Sequence, residues 1–161
     1  MSDVFFVLTV LAALGSALVA GIFFAFSTFV MAALGRLEPG QGIAAMQAIN
    51  VTVINPWFFG AFFGTAALSL VLGIAALFDW ADPAALWRLA GSGLYLVTCI
   101  LVTIACNVPL NNRLAKVAPD SSEGAECWAR YLTVWTLWNH VRTAGSLAAA
   151  AAFILALLSA P

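Results

Sequence analysis

Long apolar runs separated by short polar breaks set the plan of this chain. The first run extends from Val4 to Gly35 without a charge. About 20 apolar residues suffice for a helix to cross the hydrocarbon core of a bilayer, so the run predicts a first span with length to spare. Gly15 and Gly21, with Ala25, put small residues near one face, which suits close helix packing. The string Arg36-Leu37-Glu38-Pro39-Gly40 ends the span, because proline fixes its own φ and disfavours helix in the residue before it. From Gln41 to Phe78 there is again no charge. As one helix this run would measure about 60 Å, twice the core thickness, so it must divide. Asn55-Pro56 is the natural break, leaving a short interfacial helix over Gln41–Ile54 and a second span over Trp57–Phe78. After the polar turn Asp79–Pro83, a third span covers Leu86–Asn107, and Pro109 is expected to kink or end it. A polar connection, Lys116 to Gly124, follows, with Asp120 and Glu123 at the spacing of a capping box. The fourth helix, Ser122–Leu158, is polar and aromatic in its first half and nearly pure alanine and leucine in its second. The pattern predicts an all-α integral membrane four-helix bundle with a short extra interfacial helix between spans one and two, as one domain over residues 1–161.

Composition agrees. Hydrophobic residues make up 64% of the chain and charged residues 8%, against about 25% charged in a soluble domain. A net charge of −1 with no basic patch gives no footprint for nucleic acid. The expected partners are membrane lipid and an apolar aromatic small molecule. A homo-oligomer is compatible with the spans, and a transport role would require one. Asp3 stands where a signal peptide would carry a basic residue, and the apolar run continues far past Ala13–Ala20, so the run is expected to be the first span of the mature protein. Cys99, Cys106 and Cys127 form no CxxC pair; they are expected to be small buried hydrophobes. Arg36, Arg113, Lys116 and Arg130 fall on one side of the spans and Arg88 on the other. The positive-inside rule then places the first group in the cytoplasm and both termini outside, in the bacterial inner (plasma) membrane.

Polar residues within the apolar runs carry the candidate chemistry. At about 1.5 Å per residue, Arg142 lies roughly 25 Å, Asn107 roughly 30 Å and Asn55 roughly 35 Å from the outer ends of their helices. They share one level with Asn139 and His140, the only histidine, at the cytoplasmic edge of the core. Intramembrane polar groups are costly, which makes this cluster a functional candidate; linking helices by hydrogen bonds is the plainer alternative. Trp128, Tyr131, Trp135, Trp138 and Arg142 step by three and four along one stripe of the fourth helix, with Asn139 at its border and His140 on a neighbouring face. There is no HExxH, no second histidine and no carboxylate inside the spans, so no ligand set for a protein-built metal site is apparent. GxGxxG and P-loop strings are also missing.

The strings N-x-P-L-N-x-x-L at 107–114, W-x-x-Y at 128–131 and W-x-x-W-N-H-V-R-T at 135–143 resemble the anthrone oxygenase-like family of small four-span membrane proteins. The Asn50 and Asn55 region after the Pro-Gly break fits the same family. The resemblance implies oxidation of an anthrone-like or other polycyclic aromatic or quinol-like substrate, by proton abstraction and addition of molecular oxygen, with no added cofactor. Under it, His140 is the candidate base, since imidazole takes a proton near neutrality. Asn107, Asn139 and Arg142 are candidate donors to the developing oxyanion. Trp135, Trp138 and Phe26 would hold a flat substrate, with Asn50, Asn55 and Asn111 also in contact and Arg113 in support. The competing reading is a non-catalytic membrane protein that binds an apolar ligand or serves as an accessory subunit of a larger complex.

Overall fold

The computed structural model describes residues 3–159, and the apolar runs of the sequence emerge in it as helices, with no strand among the described residues. Four helices are long and apolar enough to cross a membrane: α1 (Asp3–Leu34), α3 (Pro56–Phe78), α4 (Ala85–Leu114) and α5 (Ser122–Leu158). Between the first two lies α2 (Pro39–Thr52), the short extra helix, with Pro39 at its first turn, where a missing amide hydrogen costs nothing. α1 packs on α3 and α5, and α4 packs on the same two, so the four helices form a square. Phe5 of α1 and Phe153 of α5 share one apolar cluster with Leu72 and Tyr95. Met31, Trp128, Tyr131 and Leu114 share another with Ile43 and Met46 of α2. Neighbouring helices therefore run antiparallel, and α2 closes the second end of the bundle.

Two glycines set how closely the long helices approach. A Cβ at Gly15 of α1 would overlap the Thr65 hydroxyl of α3, and one at Gly145 of α5 would overlap the Thr98 hydroxyl of α4. Gly21, expected on the same packing face as Gly15, meets nothing and is exposed. Helix ends depart from expectation in three places. The cap of α5 is Ser121, whose hydroxyl accepts from the Gly124 N–H at 3.0 Å, rather than Asp120. Asn55, expected in contact with substrate, caps α3: its Oδ1 accepts from Trp57 N and Phe58 N at 3.1 and 3.0 Å, and its Nδ2 donates to the Thr52 carbonyl. Asn55→Ala is expected to lower stability by about 1 kcal/mol, the usual worth of such a cap, read as a lower midpoint of thermal unfolding in detergent. Third, α4 does not end at Asn107 but runs through Pro109 to Leu114. The preceding turns, Tyr95–Leu101 and Thr103–Asn107, are π-helical, and Val108 N–H reaches back to the Thr103 carbonyl. The wider turn lets the chain enter the proline without a break.

At the first end of the bundle, Arg88 of α4 is buried and donates to Asp82 at 2.9 Å. The other Asp82 oxygen accepts from Ala84 N, and the Arg88 guanidinium lies over the Phe5 ring. The pair ties the α3–α4 turn to α1 and α4.

Candidate functional site

α5 builds the floor of the site by its periodicity. Steps of three, four, four and three place Trp128, Tyr131, Trp135, Asn139 and Arg142 on one buried face. The rings of Trp128, Tyr131 and Trp135 stack successively, with centroids 5.7 and 5.5 Å apart and near-parallel planes. Trp138, expected on this stripe, is rotated off it and half-buried, and Asn139 takes its place. A fourth step from Trp135 carries a side chain closer to the buried meridian than a third step does.

Above this stack the polar groups join. Arg142 donates from Nη2 to Asn139 Oδ1 at 2.7 Å and from Nη1 to Thr103 Oγ1 of α4 at 3.3 Å. Asn139 donates to the Phe23 carbonyl and to Ser27 Oγ of α1, both at 2.7 Å. Phe23 lies one turn before a π-helical stretch of α1, Phe26–Val30. Such turns break the regular i→i−4 ladder and often mark functional sites, and here one backbone oxygen beside the turn is answered by a side chain from another helix. The guanidinium sits over the rings of Phe23, at 4.1 Å from its centroid, and Trp135, at 5.1 Å. A charged donor group is thus fixed in direction by α1, α4 and α5 together.

Arg142 lines a cavity of about 670 Å³, within the range of small-molecule sites. Its walls are apolar, part aromatic and part aliphatic: Phe23 and Phe26 from α1, Phe58 and Phe62 from α3 and Trp135 from α5 face Met46 and Ile49 of α2 and Val53 and Ile54 beyond it. Gln47 and Asn50 of α2, with Thr103, Asn111 and Asn112 of α4, supply the polar lining. Gln47 donates to the carbonyls of Leu114 and Val117, which pins α2 beneath the cavity. Asn111 Oδ1 accepts from both Tyr131 Oη and Trp135 Nε1 at 2.8 Å, so the amide orients the aromatic stack. Phe59 and Phe63 of α3 and Ile104 and Val108 of α4 also line the cavity, yet all four are exposed. α3 packs on the first part of α4 and falls away from its end. The cavity therefore opens sideways between these helices.

The structure gathers part of the expected set. Arg142, Trp135, Phe26, Asn50 and Asn111 line the cavity. Asn139 stands behind Arg142. Asn107, expected as an oxyanion donor, is buried and donates its amide to the Trp135 carbonyl at 3.2 Å, joining α4 to α5 instead. Asn55 and Trp138 lie outside the lining. His140 is exposed on the outside of the bundle and is not part of the cavity, because one residue beyond Asn139 turns about 100° away from the buried face. Thr103 was missed by sequence reasoning, although it lies one helical turn before Asn107 within an apolar run; Phe23 is one of four phenylalanines in the second half of the first run, and nothing in the sequence separates it from Phe24 and Phe29. Among the described residues, no three histidine, cysteine or carboxylate side chains come together as metal ligands.

Residues 57–152 match the family model described as anthrone oxygenase. The match covers α3, α4 and most of α5, and so includes Thr103, Asn111, Trp135, Asn139 and Arg142. No curated protein and no solved structure matches the chain.

Proposed function

The chain belongs to the anthrone oxygenase family, and from that premise we propose a membrane-embedded oxygenase that uses molecular oxygen to turn the ring methylene of an anthrone-like polycyclic aromatic into a ketone. The observation that carries this reading is the apolar cavity, with Phe23, Phe26, Phe58, Phe62 and Trp135 in its lining, and the single oriented guanidinium beside them. The chemistry is balanced by oxygen alone. A proton leaves the methylene carbon and its electron pair spreads to the carbonyl oxygen. Oxygen adds at that carbon to give a hydroperoxide. Loss of the second methylene proton and of water leaves a ketone, with one oxygen atom in the product and one in water. Arg142 donates to the substrate oxygen as charge builds there, Asn139 and Thr103 hold Arg142 in position, and Phe26, Phe58 and Trp135 flank the rings.

The exposed cations Arg36, Arg113, Lys116 and Arg130 lie at the α2 end of the bundle, which supports placing the cavity at the cytoplasmic side. The side opening supports entry of an apolar substrate from the bilayer. The competing reading, a binder that performs no chemistry, draws on one observation: among the described residues, no carboxylate or imidazole lines the cavity. Incubation of purified protein with an anthrone under heavy-isotope oxygen separates the two. The proposal expects one labelled atom in the quinone, formed faster than in protein-free detergent; equal rates would sink it. His140→Gln is expected to leave this turnover essentially unchanged. A fall of about 10²-fold or more, the range for removal of a general base, would return the imidazole to the mechanism.

A further inference from the structure

Arg142 is a buried cation with no ion-pair partner among the described residues. Its residue is 5% exposed, and its hydrogen bonds end on the neutral oxygens of Asn139 and Thr103. Its Nε has no partner. The titratable groups that act on it are the Cys99 thiol of α4 and the Tyr131 phenol of α5, neither a carboxylate; from α1 the Phe23 ring faces it. Arg88 is the informative contrast. It is equally buried, but it has Asp82, and that is the one ion pair among the described residues. A guanidinium keeps its charge, and burying it unpaired is strongly unfavourable. The ring faces of Phe23 and Trp135 answer part of the charge, and the residue lines the cavity.

We propose that the cavity takes its ligand as an aromatic oxyanion, an ionised enol or phenol whose oxygen rests on Arg142 while the rings lie among Phe26, Phe58 and Phe62. The identity of the ring system rests on the oxygenase reading; the charge does not. With no protein base in the lining, the substrate C–H or O–H bond breaks with its electron pair left on the substrate oxygen. The proton passes to water at the exposed Asn112 and Ala115 rim. A fatty carboxylate would offer the same charge, but the rings nearest Arg142, those of Phe23 and Trp135, favour a flat partner.

The test uses the full chain in a non-ionic detergent with two probes: a dihydroxyanthraquinone, whose colour reports its ionisation, and its dimethyl ether, which cannot ionise. The bound dihydroxy probe is expected to ionise about one to three pH units lower than in protein-free micelles, the effect of an adjacent opposite charge. It should also bind at least roughly tenfold more tightly than the ether, as a charge-assisted hydrogen bond would give. Arg142→Lys should keep most of the shift and Arg142→Gln should lose it. The wild-type measurement stands even if Arg142→Gln does not fold. Ionisation at or above the micelle value overturns the proposal. So does displacement of the probe by oleate at concentrations where the ether does not compete. A protein that shifts the probe but oxidises no anthrone keeps the oxyanion site and refutes the oxygenase reading; turnover without a shift does the reverse.

Discussion

Arg142→Gln is expected to slow oxygen-dependent oxidation of an anthrone by roughly 10²–10³-fold, the range for loss of one donor to a developing oxyanion. Glutamine retains two amide hydrogens but no charge, and it is too short to span from α5 to Thr103 while still facing the cavity. The loss should appear in kcat/KM, because the charge that Arg142 answers is present on the bound substrate oxygen and persists into the step with oxygen. Asn139→Leu is expected to reproduce much of the defect without touching substrate, since Asn139 Oδ1 aims the guanidinium. The two substitutions together should cost less than the sum of their separate effects, as expected for residues in one network. Tryptophan fluorescence from the stacked Trp128 and Trp135 reports whether each variant keeps its fold. Unchanged kcat/KM in a folded Arg142→Gln protein would remove the oxyanion role.

The largest stability effect is expected at the opposite end, from Asp82→Asn. The side chains of Arg88 and Asp82 are 2% and 8% exposed, and removing the carboxylate charge leaves a buried guanidinium unanswered. The expected cost is about 3–5 kcal/mol, measured as reversible unfolding in detergent. Asp82→Leu combined with Arg88→Met should recover much of that loss, since replacing a buried pair by apolar groups is often close to neutral. A single Asp82→Asn within experimental error of the parent would show that water reaches this pair.

Features that depend on one helix at a time were legible in the chain. Long apolar runs marked all four spans, and the proline at Pro39 with Asn55-Pro56 bounded α2, because length against bilayer thickness and the missing proline amide are local facts. Asn55 could have been read correctly as well: asparagine before proline at a helix start is a capping signal. Rise arithmetic put Asn107, Asn139 and Arg142 at one depth, but depth does not fix azimuth. His140 shares that depth and faces outward, while Asn107 faces α5 instead of the cavity. The π-helical turns of α1 and α4 depend on contacts between helices and have no signature in local composition. The packed bundle supplies the contrast in partners: Arg88 meets Asp82, whereas Arg142 meets the neutral oxygens of Asn139 and Thr103.

The side opening between α3 and α4 has a kinetic consequence. With these helices set in a bilayer, Phe63 and Ile104 face acyl chains, and the cavity samples a two-dimensional solution. The concentration that governs its occupancy is then the mole fraction of substrate among lipids, not the amount per volume of water. Added lipid dilutes the substrate without removing any, and a more apolar ring system gains access through partitioning even where its contacts with the cavity are no better.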